Sequence, residues 1–167
     1  MYIKLFNMRK LSVCIGRFQV PALHEGHLYL LREAEKRGDV LLVMIGCRNK
    51  ADINNPMDYT IRRSMIKESF PNAYTLSLFD FDNDDRRWSR EVDSLLLPHI
   101  NDYDITLYGS RDSFIKKYFG SLKYEYIESD IKTSGTEIRK NIKPIVNSDF
   151  RSGVIWAIQN YLKNKML

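Results

Sequence analysis

The sequence predicts an α/β fold: a doubly wound parallel sheet of about five strands with helices on both faces. Apolar runs of strand length alternate along the chain with amphipathic segments of helix length. The earliest runs are continuously apolar, which is typical of strands buried on both faces. The chain has 167 residues, 44% of them hydrophobic, so we expect one domain with a substantial core.

The first three elements form a strand, helix, strand unit. LSVCI, residues 11–15, is an apolar run that ends at Gly16, and VLLVMIG, residues 40–46, is a second run rich in branched side chains. Between them lies an amphipathic helix that Gly38 closes. Its apolar positions at helical spacing are Leu30, Leu31 and Ala34.

The alternation continues to the end of the chain. Further helices are predicted near residues 60–70, 88–97, 114–119, 136–143 and 153–163, and further strands near 74–81, 105–108 and 124–127. Pro98 stops the helix that precedes it. Since no linker, repeat or low-complexity tract interrupts the pattern, we expect a single domain over residues 8–167. Residues 1–7 are expected to be a flexible extension, because Met8 is an equally good start.

Charge and composition narrow the class of partner. The net charge of +5 suits an anionic partner, but basic and acidic residues are interspersed along the whole chain. This favours phosphorylated small molecules as much as nucleic acid. We nevertheless expect no nucleic-acid partner. No apolar run approaches the ~20 residues of a membrane span, and MYIKLFNMRK is too charged for a signal peptide. A cytoplasmic protein with Cys14 and Cys47 as buried free thiols is therefore expected.

The stretch GRFQVPALHEGHL follows the first predicted strand, where sheets of this kind bind ligands. It contains neither GxGxxG nor GxxxxGK[ST], so phosphate must be held in another way. His24 and His27, near the start of the next helix, can point toward one spot, and the free amides of its first turn favour an anion. Gly26 allows a ligand to approach the backbone. The arrangement suits nucleotide phosphates; the alternative is a helix start with two solvated histidines.

A second motif, TSGTEIRK, lies near the other end of the chain. Ser134, Gly135 and Thr136 can cap a helix whose first turn carries Arg139. The alternative is an ordinary helix cap with a surface arginine. Taken together, the two motifs predict two anion-binding helix starts that face each other across the sheet edge.

In this order the motifs resemble the HxGH nucleotidyltransferases, which have a Rossmann-like fold. Within them the chain is similar to nicotinamide-mononucleotide (NMN) adenylyltransferases of the archaeal type and of bacterial proteins that fuse this module to a Nudix domain. The stretches that carry the resemblance are GRFQ with HEGHL, NPMDYTIRRSMI, DDRRW, TLYGSRDSFIKKYF and SGTEIR. It implies nucleotide-binding roles for Gly16, Phe18, Gln19, Gly26, Arg62, Trp88, Gly109, Ser134, Gly135 and Thr136. One departure is that Val20 precedes Pro21, so the loop from Gln19 to His24 is two residues longer than in the family.

The resemblance implies transfer of AMP from ATP to NMN, giving NAD and pyrophosphate. The attacking phosphate is already an anion, so alignment and charge neutralisation are what the protein must supply. His24 and His27 would contact the triphosphate, with His27 nearest the α-phosphate. Arg139 would hold the β- and γ-phosphates, and Arg17 would add a cation. Mg²⁺ would be bound mainly by ATP and water, so no metal ligands are assigned to the protein.

Several alternatives remain open from the residues alone. Trp88 is either a stacking surface for nicotinamide or part of the core, and Arg62 either serves phosphate or lies on a helix surface. The acidic residues Asp80, Asp82, Asp84 and Asp85 are interpreted as a solvated turn rather than a metal site. Pantetheine phosphate, FMN or an alcohol phosphate is an alternative acceptor, and a nucleotide sensor without turnover is an alternative function. Whether the chain forms a homo-oligomer is also left open.

Overall fold

The computed structural model describes residues 8–48, 55, 57–81, 83–111 and 113–132, and every structural statement below refers to these. Within them the chain forms five strands and three α-helices. In order they are β1 (Arg9–Gly16), α1 (Glu25–Arg37), β2 (Val40–Cys47), α2 (Tyr59–Ser69), β3 (Tyr74–Phe79), α3 (Asp85–Leu96), β4 (Tyr103–Gly109) and β5 (Lys123–Tyr126). Short 3₁₀ turns occupy Leu97–His99 and Phe114–Lys117.

The five strands form one parallel sheet in the order β3-β2-β1-β4-β5. β1 is central, with Val13 opposite Leu42 on one side and Leu107 on the other. The predicted fold class is therefore confirmed. The strand order reverses between β1 and β4, and a ligand crevice is expected at the carboxyl ends of the strands there.

Successive residues of the central strand face opposite layers of the core, as the two-residue period of a strand requires. Cys14 packs with Leu31 of α1 and Ile66 of α2 on one face of the sheet. Val13 packs with Val92 of α3 on the other face. Both faces of the sheet are thus covered, and this explains why β1 and β2 read as continuously apolar.

Helix α3 begins three residues earlier than predicted, at Asp85 rather than Trp88. The Asp84 side chain accepts a hydrogen bond from the backbone N–H of Arg87 at 2.8 Å, and Asn83 precedes it with a φ of 59°. Asp84 is therefore a helix cap. The acidic stretch was predicted to be a solvated turn. Asp84 is exposed, in agreement with this, and it also caps the helix. Asp82 lies outside the described residues.

The predicted helix at 114–119 is a 3₁₀ turn that ends at Lys117. Tyr118 leaves it in an extended conformation because its hydroxyl donates to the Asp93 carboxylate on α3. The backbone N–H of Phe119 donates to Ser89 Oγ at 2.9 Å, which adds a second tie to the same helix. The helices predicted at 136–143 and 153–163 lie outside the described residues, so a single domain over 8–167 stays a prediction.

Both cysteines are free thiols, as expected. Cys14 is fully buried, and this burial raises its pKa far above the usual value. Cys47 is only half-buried, contrary to expectation, because it is the last residue of β2, at the carboxyl end of the strand. Among the described residues, none of the helices has the length and apolarity needed to cross a membrane.

Candidate functional site

The predicted helix start after β1 is present, and His24 is its cap. His24 Nδ1 accepts a hydrogen bond from the backbone N–H of His27 at 3.3 Å, so a neutral His24 carries its proton on Nε2. The two imidazole rings stack with centroids 3.7 Å apart and planes 20° apart. The structure therefore brings the two histidines together at the amino end of α1, as the spacing predicts. Gly26 lies between them in the first turn.

The loop before α1 is anchored in the core by the side chain of Phe18. Phe18 is buried, adopts a φ of 51°, and places its ring 5.0 Å from that of His27. A Cβ on Gly16 would lie 2.9 Å from the Phe18 ring, so the close approach of this ring requires glycine there. Both residues were predicted to bind nucleotide. The Phe18 ring packs beside His27, and Gly16 lines the cleft described below. Their nucleotide-binding roles stay predictions.

Gln19 ties the same loop to the segment before α2. Its amide donates to the backbone carbonyl of Met57 at 3.1 Å and accepts from the backbone N–H of Met57 at 2.9 Å. Gln19 and Val20 are both buried. The longer loop is thus folded into the core, and it still delivers both histidines to the helix start.

Burial lowers the pKa of His24 below its usual value, partly offset by neighbouring Glu25. A lowered folded-state pKa means that the stabilisation is complete above the unfolded value of about 6.5 and is lost as pH falls through the folded value. We therefore expect the melting temperature of the protein to fall on acidification from pH 7 to 5. In a His24→Asn variant the amide oxygen replaces Nδ1 as the cap and does not titrate, so the melting temperature should fall less. Melting curves at several pH values check this, and parallel curves for the two proteins would contradict it.

Three charged side chains meet where β1, β2 and β3 end. The carboxylate of Asp80 accepts hydrogen bonds from Arg17 and, at 3.2 Å, from Arg48 Nε. The Arg17 side chain is half-exposed, as suits a predicted cation of the site. Asp80 was predicted to belong to a solvated turn, and this is wrong, because its side chain is ion-paired and only 17% exposed.

Arg62 is buried, although it was expected on a helix surface or at a phosphate. Its guanidinium donates to the carbonyl of Gly46 at 2.6 Å and to that of Arg17 at 2.7 Å. It also donates to the carbonyl of Asp58 at 3.0 Å and lies 3.6 Å from Cys47 Sγ. These contacts join α2 to the ends of β1 and β2. A phosphate-binding role for Arg62 stays a prediction, but most of its donors are already engaged by the protein.

A cleft of about 390 Å³ opens at the carboxyl edge on the α3 side of the sheet. Its lining includes Arg17, Asp80, Asp85, Trp88, Phe114 and Lys117. Trp88 is 9% exposed and packs in the core, with its ring centroid 5.7 Å from that of Phe114. The core interpretation of Trp88 is therefore confirmed. Trp88 also lines the cleft, and its role as a stacking surface for nicotinamide stays a prediction. Among the described residues, neither His24 nor His27 lines it.

Gly109 ends β4 beside this cleft. A Cβ at this position would collide with Ser113 Oγ and lie 2.6 Å from Ile115 Cδ1. Glycine is therefore required because the following loop packs directly on the end of β4. Its predicted nucleotide-binding role stays a prediction. The second motif, with Ser134, Gly135, Thr136 and Arg139, lies outside the described residues.

Sequence reasoning missed Arg48, Phe114 and Lys117. Arg48 directly follows the apolar run of β2, so the rule that pointed to Arg17 after β1 would also have found it. Phe114 and Lys117 lie in a short turn with no distinctive spacing. Their places in the lining depend on how that turn packs on α3.

Comparisons with known proteins agree with this architecture. A sequence model of the family described as cytidylyltransferase-like matches residues 13–141. No curated protein matches the chain closely enough to count as a relative. The family match and the shared fold described next confirm the resemblance found in the motifs.

Two structures of a bifunctional NMN adenylyltransferase/ADP ribose pyrophosphatase from Francisella tularensis share the fold. One has a TM-score of 0.70 and 22% identity, over 94% of this chain and 55% of that one. The other, complexed with AMP and a manganese ion, has a TM-score of 0.69 and 20% identity, over 93% of this chain and 50% of that one. A NadR protein in complex with NAD and AMP-PNP has a TM-score of 0.55 and 21% identity, over 80% of this chain and 42% of that one. The chain spans about half the length of these structures.

Proposed function

The chain belongs to the cytidylyltransferase-like family, and from this premise we propose that it is a nucleotidyltransferase that joins ATP to NMN, forming NAD and pyrophosphate. The observation that carries the proposal is the stacked pair of His24 and His27 at the amino end of α1. Helix amides and two imidazoles together form a site for the phosphates of a nucleotide. Two structural neighbours support the choice of substrates. The Francisella protein is an NMN adenylyltransferase complexed with AMP, and the NadR protein is in complex with NAD and AMP-PNP.

The proposed reaction is a direct displacement. An oxygen of the NMN phosphate forms a bond to the α-phosphorus of ATP, while the bond from that phosphorus to the β-bridging oxygen breaks. Pyrophosphate leaves with the electron pair, and no proton has to be removed from the nucleophile. His27 stabilises the charge that develops at the α-phosphate, and His24 donates from Nε2 to the triphosphate.

Mg²⁺ belongs to this proposal as an ion carried by the nucleotide. The described residues hold no cluster of three His, Cys, Asp or Glu side chains, and the Asp80 carboxylate is engaged by two arginines. We propose that ATP phosphates and water hold the ion. When bound, Mg²⁺ would neutralise charge on the phosphates. The manganese ion with AMP in the Francisella structure is consistent with such use of a divalent ion.

The cleft beside Trp88 supports a nicotinamide acceptor. The ring of NMN is a cationic pyridinium, which favours aromatic faces and carboxylates. The cleft is lined by Trp88, Phe114 and Asp85, whose carboxylate lies 3.9 Å from Lys117 Nζ in the same lining. Pantetheine phosphate and FMN lack a cationic ring, so these walls favour NMN over the two alternative acceptors.

An acceptor panel tests the substrate assignment. Purified protein is incubated with ATP, Mg²⁺ and NMN, nicotinate mononucleotide, pantetheine phosphate or FMN, and pyrophosphate release and product mass are measured. We expect NAD from NMN at least about tenfold faster than product from pantetheine phosphate or FMN. Product from one of those two without NAD would refute the acceptor but keep the reaction class. Nucleotide binding without turnover on any acceptor would instead favour the sensor.

Arg139 is proposed to hold the β- and γ-phosphates. It lies four residues after Gly135 in a predicted first helical turn, where a cation is unfavourable unless an anion is bound. Arg139→Ala should therefore leave the melting temperature unchanged and weaken binding of a nonhydrolysable ATP analogue by about 1.5 to 3 kcal/mol. Titration calorimetry measures the affinity. Normal affinity with a lowered melting temperature would show that Arg139 is structural.

A further inference from the structure

We propose that Arg17 and Arg48 together bind the phosphate of the acceptor, and that Asp80 is the positioning residue that holds their two guanidinium groups side by side. This inference rests on the proposed function and deepens it. It adds Arg48 and Asp80 to the site and gives each a separate role.

The three side chains come from the ends of three neighbouring strands. Arg17 follows β1, Arg48 follows β2 and Asp80 follows β3, and because the strands are parallel all three ends lie at one edge. The backbone N–H of Asp80 donates to the carbonyl of Cys47 at 2.9 Å, which continues the strand pairing one step beyond β3. This places Asp80 beside Arg48, within reach of Arg17.

A single carboxylate oxygen holds both cations. Asp80 Oδ2 accepts from Arg48 Nε at 3.2 Å and also from Arg17 Nη2. A guanidinium has five N–H donors, and the contact with Asp80 uses one on each arginine. Two guanidinium groups fixed to one oxygen are close enough to contact the same tetrahedral anion.

The charges are arranged with the cations toward solvent. Asp80 is 17% exposed, whereas the Arg17 and Arg48 side chains are 50% and 31% exposed. Both guanidinium groups share the one Asp80 carboxylate. The buried Arg62 guanidinium, which donates to the Arg17 carbonyl at 2.7 Å, adds positive potential from beneath. The cluster therefore attracts a phosphate monoester dianion.

The position of the cluster assigns it to the acceptor rather than to ATP. Arg17 and Asp80 line the cleft that also contains Trp88. Arg48 is outside the described lining and is tied to it through its contact with Asp80. The histidines proposed for the triphosphate stand at α1, outside the described lining of that cleft. A nicotinamide ring in the cleft would therefore place its phosphate at the arginine pair, with the histidines beyond it.

The phosphate role is tested by calorimetric titration of NMN, nicotinamide riboside and inorganic phosphate against wild type and Arg48→Ala. We expect NMN to bind the variant about tenfold more weakly and the riboside, which lacks the phosphate, to bind both proteins equally. Arg32→Ala, which removes an exposed arginine of α1, is the matched control and should bind NMN like wild type. Equal NMN affinity in wild type and Arg48→Ala would overturn the inference.

The inorganic phosphate arm separates this inference from the proposed function. Weaker phosphate binding in Arg48→Ala, in a protein that forms no NAD, would support the anion site and refute the reaction. NAD formation by a wild-type protein whose Arg48→Ala variant binds NMN and phosphate normally would support the reaction and refute this site.

The positioning role of Asp80 is tested by Asp80→Asn, which keeps the shape and removes the charge. We expect kcat to fall about tenfold while the KM for NMN does not rise, because the site becomes more positive but less ordered. Asp80→Glu, which restores the charge at a longer reach, should recover part of kcat. Both variants should melt like wild type, since partly exposed ion pairs contribute little to stability. A kcat of Asp80→Asn equal to that of wild type would overturn the positioning role.

Discussion

A His27→Ala variant should lose at least about a hundredfold in kcat, equivalent to roughly 3 kcal/mol of transition-state stabilisation. The His27 ring is fixed in place because it stacks on His24 at 3.7 Å and lies 5.0 Å from the ring of Phe18. A group fixed before the reaction stabilises developing charge without reorganising. The loss should therefore appear in kcat more than in the KM for ATP, measured by steady-state pyrophosphate release.

The chain offers a matched control in its third histidine. His99 is exposed in the 3₁₀ turn Leu97–His99, in the segment between α3 and β4. His99→Ala should have the kcat of wild type. A His27→Ala variant that melts normally and turns over like wild type would establish the alternative of two solvated histidines, and the proposed mechanism would be wrong.

An Arg62→Ala variant should lose about 3 kcal/mol of unfolding free energy, roughly 1 kcal/mol for each of three carbonyls that lose a donor. This lowers the melting temperature by about 10 °C in a chain of this size. The change removes hydrogen-bond donors from the carbonyls of Arg17, Gly46 and Asp58 around a side chain that is 2% exposed. Partly buried carbonyls left without donors are destabilising. Burial lowers the pKa of Arg62 without neutralising it, so the residue carries its charge at neutral pH.

Chemical denaturation of Arg62→Ala beside Arg63→Ala measures this effect. Arg63 is the next residue of α2, is exposed, and contacts only Thr75 Oγ1, at 3.2 Å, among the described hydrogen bonds. Its removal should change the unfolding free energy by less than about 1 kcal/mol. Arg62→Lys should not restore stability, since one ammonium cannot reach carbonyls at the ends of two strands and a helix. Normal stability with weak ATP binding in Arg62→Ala would instead support the phosphate role.

The fold could be predicted almost entirely from local patterns. β1 and β2 are continuous apolar runs because both faces of the sheet are covered, and α1 shows its buried stripe as Leu30, Leu31 and Ala34. Such periodicities follow from the geometry of each element alone. The start of α3 was missed because Asp84 was grouped with the neighbouring acidic residues as loop, although aspartate is also a preferred helix cap.

The candidate site was predicted in part. The histidines belong to one helix start, so three residues of spacing suffice to bring them together. The cluster of Arg17, Arg48 and Asp80 joins residues far apart in the chain. A charged residue in a loop is interpreted as solvated from the sequence, because the sequence does not show its ion-pair partner. The surroundings of Trp88 likewise depend on Phe114, which lies in the 3₁₀ turn that follows β4 in the chain.

The sequence by itself therefore determined the alternation of strands and helices, the helix start that carries His24 and His27, and the place of the site after β1. Tertiary structure alone decided that Arg62 is buried, that Asp80 holds two arginines, and that the cleft lies on the α3 side of the sheet. The physical reason is the range of the interactions. Periodicity and capping act within about one helical turn, whereas the burial and pairing of a charge depend on strands that only the folded sheet makes neighbours.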